Sequence, residues 1–168
     1  MVGDARNLEF PDNSFDGVRC DRTLQHVKDP ERAIAELARV VKPGRRVVVM
    51  DPDWETLLLD AVDLTATRRI REAIADASQN GTMGRRHSGL FRKVGLVDVA
   101  VHPLTFTTTE FAVIDGIAGI NRHLETLVRT GTITAAAGEA WRHQVDEDNR
   151  AGHFFTSLTG FVVVGRKP

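Results

Sequence analysis

The 168-residue sequence contains one cysteine, Cys20, so no disulfide can form within the chain. A lone thiol fits a reducing compartment, and the cytoplasm is the expected location. Excess charge of either sign is also missing: 22 Lys and Arg stand against 23 Asp and Glu, a formal net charge of -1. No positive field is then available to neutralise a phosphate backbone, and nucleic acid is not an expected partner. No basic start leads into an apolar run, and no stretch approaches the roughly 20 apolar residues that span a bilayer. A soluble chain with no membrane partner is expected. H-E-x-x-H, paired C-x-x-C and phosphate-loop spacings are all missing, which leaves metal and nucleoside-triphosphate sites without support. Nor is there any repeat or low-complexity tract. What is present, 42% hydrophobic and 27% charged residues, is enough for one core and too short for two, so residues 1–168 are expected to form a single domain.

The punctuation along the chain alternates strands with helices. "FDGVRC" is a short apolar-rich run, and Asp29-Pro30-Glu31 then supplies an N-cap, a first-turn proline and an acidic first turn. Ile34, Leu37, Ala38 and Val41 recur at helical spacing, and "KPG" ends the helix. The unbroken Val47, Val48, Val49, Met50 run predicts a strand buried on both faces, completing a βαβ unit. "WETLLLDAVDLTATRRIREAIADASQN" reads as helical, with Ile70, Ala73, Ile74 and Ala77 on one stripe and a phase break around "TATRR". "SGLFRKVG" reads as a helix of one or two turns capped by Ser88, leading into a strand in which Val97, Val99 and Val101 alternate until His102-Pro103. Two helices, "TTEFAVIDGIAGINRHLETLVRTG" and "TAAAGEAWRHQVDEDNRAG", are expected over about 107–152 before a last strand in "FFTSLTGFVVVGRKP".

Such alternation argues for an α/β sheet with right-handed crossovers, in which ligands bind at the carboxyl ends of the strands. Three turns follow predicted strand ends: "GDA" at the start, "CDRTLQH", and "DPDWE". The "RRIR" and "GRRH" clusters read as solvated faces, and "DEDN" as a helix end.

From Gly3 to about Leu57, "GDARNLEFPDNSFDGVRCDRTLQHVKDPERAIAELARVVKPGRRVVVMDPDWETL" resembles the second half of the S-adenosylmethionine-binding domain of class I methyltransferases. Its style is that of the ubiquinone and menaquinone C-methyltransferases. Three stretches carry the resemblance: GDA-x-x-L-x-F-P-D-x-S-F-D, L-Q-H-V-x-D-P, and E-L-x-R-V-x-K-P-G-x-x-V-V-V-x-D. A weaker echo continues in "LFRKVGLVDVAV" and "GFVVVGRKP". The resemblance implies a partial Rossmann-like sheet, mostly parallel with an antiparallel last strand, helices on both faces and a two-helix insertion before that last strand. It implies S-adenosylmethionine as cofactor and methyl transfer to a small-molecule acceptor.

It also implies roles. Asp4 matches the acid that accepts a hydrogen bond from the adenine amino group, and the Ala5 N–H can meet a ring nitrogen, so the two read one edge of the base. Leu8 would pack near the ring. Cys20 and Asp21 match the strand end whose backbone lies against the methionine moiety, and His26 falls in the turn flanking the reaction centre. No residue is favoured as a general base; His26, Asp53, His123, His143 and His153 form the pool. Phe111, Ile114, Ile117, Ile120, Leu124 and Trp141 either line an apolar acceptor pocket or form core at helical spacing.

The family's opening strand, G-x-G-x-G loop and ribose-binding acid have no counterpart, and the whole sequence contains no G-x-G pair. The sequence reads as starting at the end of the family's third strand. Truncation, degeneration into a pseudoenzyme, and a half-domain completed by another chain are the competing explanations, in that order. Weak or absent binding of S-adenosylmethionine by this chain alone is the expectation, as is an exposed edge on the "FDGVRC" strand through which a homodimer could pair. A catalytically inactive module acting through self-association is the alternative. "VVVMDPDWE" also resembles the D-x-D start of haloacid-dehalogenase phosphatases, but Glu55 stands where threonine or valine is expected, and that reading ranks below the others.

Overall fold

The computed structural model describes residues 3–168. In chain order the elements are β1 (Phe15–Asp21), a 3-10 turn (Leu24–His26), α1 (Pro30–Val40), β2 (Val41–Pro52), a second 3-10 turn (Trp54–Thr56), β3 (Leu58–Leu59), α2 (Leu64–Ala77), α3 (Met83–Lys93), β4 (Val97–Thr108), α4 (Phe111–Ala118), α5 (Ile120–Arg129), α6 (Ala135–Ala151) and β5 (Thr156–Arg166). The chain divides into two compact units. One comprises residues up to Asp53, Ser78–Leu104 and Gly160–Pro168; the other comprises Trp54–Ala77 and Thr105–Thr159.

The first unit is built on the expected βαβ unit. Asp29 caps α1 by accepting from the Arg32 N–H at 3.1 Å, with Pro30 in the first turn. β1 runs parallel to β2, with Gly17 opposite Arg46 and Asp21 opposite Met50. The 160–166 stretch of β5 is antiparallel to β2, with Arg46 opposite Arg166 and Pro52 opposite Gly160. The parallel pair and the antiparallel last strand are those of the Rossmann-like methyltransferase sheet expected from the sequence. Ala33, Ile34, Leu37 and Ala38 of α1, Met83 and Phe91 of α3, Val47 and Val49 of β2 and Val163 of β5 share one core cluster. Each such fully buried aliphatic or aromatic side chain contributes about 1.5–3 kcal/mol. Val48 and Met50, on the other face of β2, are only half-buried. The valine run was expected to be buried on both faces; with α1 and α3 sharing the Val47/Val49 core, β2 alternates instead.

The second unit has its own core: Trp54, Leu57 and Leu59, Ile70 and Ile74 of α2, Phe111 and Ile114 of α4, Ile120 and Leu124 of α5, Trp141 and Val145 of α6, and Phe154. Phe111 meets Phe154 edge to face at 5.5 Å. The Trp141 indole N–H donates to the buried Thr67 hydroxyl at 2.9 Å. Thr134 caps α6 by accepting from the Ala137 N–H.

Four boundaries differ from the sequence reading. The "WETLLLDAVD" stretch is not helix: Leu58 and Leu59 pair antiparallel with Ser157 and Thr156, and α2 starts at Leu64. α3 has 11 residues rather than one or two turns, and starts after Thr82, not Ser88. β4 continues through Pro103 to Thr108, which an edge strand bonded, among the described residues, to β5 alone tolerates. The first insertion helix is divided at Gly119, whose φ of 64 closes α4 and opens α5, so three helices fill the 107–152 region. Among the described residues, no helix is long and apolar enough to cross a membrane.

Candidate cofactor site at the strand ends

The turn that opens the sequence is tied down by its own side chains. Asp4 and Asn7 form an isolated antiparallel bridge. Arg6 donates from Nε to both carboxylate oxygens of Asp4, at 3.0 and 3.2 Å, from Nη2 at 2.7 Å and from its backbone N–H at 2.9 Å. This guanidinium holds the Asp4 carboxyl down to about 2. The Ala5 N–H donates to no described group. Leu8 packs against the first unit's core, and its N–H donates to Glu36 at 2.8 Å.

The segment from Leu8 to Asp12 is pinned to α1 by a single arginine. Arg39 donates to both Glu36 oxygens at 2.7 and 2.8 Å, to the Leu8 and Phe10 carbonyls at 2.9 and 2.8 Å, and to Asp12 at 2.7 Å. The forked guanidinium has five donors in fixed geometry, and all of them are used. Arg39 holds the Glu36 carboxyl down to about 2, and the acids in turn hold the arginine protonated. This explains in physical terms why E-L-x-R follows the L-x-F-P-D loop: the helix residues secure the loop.

The carboxyl ends of β1 and β2 lie side by side, since Asp21 pairs with Met50. Arg22 leaves β1 with φ 47, a left-handed conformation that costs a non-glycine residue about 1–2 kcal/mol. Its N–H donates to the Met50 carbonyl at 2.7 Å. Asp21 Oδ2 takes Arg19 Nη2, whereas Asp21 Oδ1 is buried with no partner among the described residues. Burial pushes the Cys20 thiol up, against a hydrogen bond from Thr23 that lowers it and with Asp51 and Asp21 adding to the rise. The Leu24–His26 turn is held by Asn80, whose Nδ2 donates to the Leu24 and Val27 carbonyls at 3.2 and 2.7 Å and whose N–H donates to Gln25. His26 itself is exposed.

At the end of β2 both aspartates of "DPD" are fully buried and both meet basic residues of α3. Asp53 receives Arg85 through both nitrogen–oxygen pairs, Nη2 to Oδ1 at 2.7 Å. Asp51 Oδ1 accepts from the Gln25 N–H at 3.2 Å, and Asp51 Oδ2 lies 3.1 Å from His87 Nε2, with neither side chain exposed. Helix α3 reaches this depth because residue 84 is glycine: a Cβ there would stand 2.8 Å from the Asp51 carbonyl oxygen. Arg85 and His87 belong to the "GRRH" cluster read from the sequence as a solvated face. That reading is corrected for His87, which is fully buried, whereas Arg85 stays exposed while it reaches Asp53. Met83, Gly84, His87 and Phe91 are the buried positions of α3, an i, i+1, i+4, i+8 stripe that was available in the sequence.

The remaining candidates lie in the second unit. His123 is half-buried, and burial with Arg122 nearby pulls its pKa down. His143 faces Glu147 at 3.5 Å, and His153 is exposed. Of the apolar set, Phe111, Ile114, Ile120, Leu124 and Trp141 are core, and only Ile117 is exposed, at 47%. The core alternative therefore holds for five of the six. An open, polar cleft of about 370 Å³ is lined by Glu55, Arg68, Arg71, Glu72, Ala75 and Asp76. Among the described residues, no group of three His, Cys, Asp or Glu is placed to hold a metal.

Comparison with known proteins gives these positions a context. Residues 1–49 match the family model described as a methyltransferase domain. Over 51 residues, 30% of this chain and 22% of the relative, the sequence is 47% identical to a demethylmenaquinone methyltransferase of Renibacterium salmoninarum. The likeness to methyltransferases is carried by residues 1–49. An uncharacterized 37.1 kDa protein in a transposon of Streptomyces fradiae is 36% identical over 98% of this chain. The chain spans 47% of that relative's length, less than half of it. A putative methyltransferase from Bacillus halodurans shares the fold, with a TM-score of 0.52 and 16% identity over 99% of this chain and 76% of that one.

Two observations bear on whether this chain fits S-adenosylmethionine, the cofactor that the resemblance implies. The free Ala5 N–H and the orphaned Asp21 oxygen are an unused donor and an unused acceptor at two of the places the family resemblance indicates. Against them, a carboxylate offers about four lone-pair positions, and Arg6 fills those of Asp4. The fit therefore requires Arg6 to give way.

Proposed function

We propose that this chain serves S-adenosylmethionine-dependent methyl transfer to a small-molecule acceptor, with Asp4, Ala5, Leu8, Cys20, Asp21 and His26 on the cofactor side. The observation that carries the reading is that all six lie within the 1–49 stretch matched to the methyltransferase domain. The bound cofactor supplies an already activated sulfonium methyl. The chain's residues then have positional work: Asp4 accepts from an exocyclic amine, Ala5 donates to a ring nitrogen, Leu8 covers the ring, and the Cys20–Asp21 backbone orients the aliphatic end. Holding donor and acceptor in line at near-attack distance supplies much of such a rate, and a general base is optional.

No G-x-G pair occurs in the 168 residues, so the backbone cradle for the cofactor's carboxylate end is not among them. We therefore expect these residues alone to bind S-adenosylmethionine weakly, in the millimolar range. Isothermal titration calorimetry tests this; a micromolar dissociation constant contradicts it.

One observation favours a second reading, a methyltransferase-like module that self-associates. Among the described residues β1 stands at the end of the strand order and pairs with β2 alone, which leaves its outer edge open, with Phe15 37% exposed. Sedimentation equilibrium separates the readings: a dimer that ignores the cofactor supports the module, and a monomer removes it.

A further inference from the structure

We propose that Arg32 is a positioning residue which, through a hydrogen-bonded run of two peptide groups, aims the Ala5 N–H at the cofactor's base; the functional half of this inference rests on the reading above. Arg32 Nε donates to the Arg6 carbonyl at 2.9 Å. The N–H of that same peptide group belongs to Asn7, and it donates to the Asp4 carbonyl at 2.9 Å. The N–H of the Asp4 peptide group belongs in turn to Ala5, which donates to no described group. A charged donor therefore stands at one end of the run and an unused donor at the other.

The chemistry of the peptide group carries the effect along. In a planar trans peptide the C=O and N–H point in opposite directions, so a donor that fixes the oxygen also fixes the direction of the N–H. Such runs polarise in one sense, and a charged first donor makes the strongest start. The Asn7-to-Asp4 bond closes the turn but does not orient it on the rest of the chain. Arg6 does not orient it either, since its side chain and its N–H both turn back onto Asp4. Ala5 packs against the first unit's core, a contact without direction for its N–H. Among the described residues, the Arg32 bond is the one hydrogen bond that joins residues 4–7 to the remainder of the chain.

Helix α1 is arranged to deliver this contact. Asp29 accepts the Arg32 N–H at 3.1 Å and so fixes the arginine's own backbone in the first turn. Arg32, Glu36 and Arg39 then follow at i, i+4 and i+7, on one face of the helix. They take the Arg6 carbonyl, the Leu8 N–H and carbonyl, and the Phe10 carbonyl, groups on alternate residues of the opening segment. The Arg32 charge also acts on the Asp4 carboxylate, so a test has to separate donor from charge.

S-adenosylhomocysteine titrations of wild type, Arg32→Met and Arg32→Gln, followed by amide shifts, make that separation. Both variants lose the charge; glutamine carries its amide nitrogen as many bonds from Cα as arginine carries Nε, whereas methionine has no donor there. Arg32→Met should move the Ala5 and Asn7 amides of the free chain and weaken binding about fivefold, the worth of roughly one hydrogen bond. Arg32→Gln should leave those amides near their wild-type positions and recover binding to within about twofold. Unmoved Ala5 and Asn7 amides in Arg32→Met, or an Arg32→Gln chain that binds no better than Arg32→Met, overturns the proposal. Arg32 is exposed, so both variants should melt with the wild type. If Arg32→Met fails to fold, Arg32→Gln decides: retained amides and affinity support the run, and displaced amides overturn it. If wild type itself shows no shift at millimolar S-adenosylhomocysteine, the cofactor reading fails, while the Ala5 and Asn7 amides of the two variants still decide the tether.

Discussion

Arg6 closes its guanidinium over both carboxylate oxygens of Asp4, two residues before it in the chain, and adds its backbone N–H to the same group. The acid that the resemblance assigns to adenine is thus already engaged. Arg6→Ala removes three of these four donations and leaves the backbone one. The Asp4 pKa should rise from about 2 toward the ordinary 3.8, as read by carboxyl-carbon titration. Affinity for S-adenosylhomocysteine should rise about threefold, because a half-exposed surface pair of this kind is weakly held and its release costs little. Reduced affinity would mean that Arg6 itself serves the cofactor.

Arg39 is the residue on which the Leu8–Asp12 segment depends, and Arg39→Ala should release that segment from α1. The expected outcome is loss of amide-exchange protection at Leu8 and a melting temperature lower by roughly 3–6 °C. Glu36 has its pKa lowered to about 2 from an ordinary 4.5, so its contribution is complete above pH 4.5 and is lost as pH falls through 2. In the variant that acid-side loss of stability should shrink, which urea melts at pH 2, 3 and 5 would show.

Gly84 and Gly89 sit in the same helix and should answer an added methyl with opposite signs. Gly84→Ala puts a carbon 2.8 Å from the Asp51 carbonyl and 3.0 Å from Phe161, displacing α3 from β2 at a cost of about 1–3 kcal/mol. Gly89→Ala meets nothing within 4 Å and should stabilise by about 0.5–1 kcal/mol through helix propensity. Equal effects in urea unfolding would show that the close approach of α3 is not as described.

Thr67→Val tests the second unit. It keeps the shape of the side chain and removes the oxygen that accepts from Trp141, leaving a buried indole N–H unpaired. The expected cost is about 1–3 kcal/mol, accompanied by a changed Trp141 indole proton shift.

The βαβ unit was legible because its signals are local: Asp29 and Pro30 mark the helix start, a 3.6-residue stripe marks its buried face, and a valine run marks the next strand. Contacts that depend on distant partners were not. His87 looks like surface charge until Asp51, 36 residues earlier, arrives beside it, and nothing local shows that the exposed Arg85 reaches the buried Asp53, 32 residues earlier. Leu58 and Leu59 look helical until β5 pairs with them across nearly 100 residues. Gly119 could have divided the insertion helix on sight, but a glycine inside a helical pattern is often tolerated. For the strand-end site, the residue types could be read from sequence while their occupancy could not: nothing in "GDARNLEF" announces that Arg6 turns back onto Asp4.

The measurement closest to the central claim is a titration of the ¹⁵N-labelled chain with S-adenosylhomocysteine up to millimolar concentration, reading every amide. The account predicts weak, saturable shifts concentrated at Asp4, Ala5, Leu8, Cys20, Asp21 and His26, with the second unit's core amides unmoved. Shifts absent from these residues, or centred elsewhere, would contradict it.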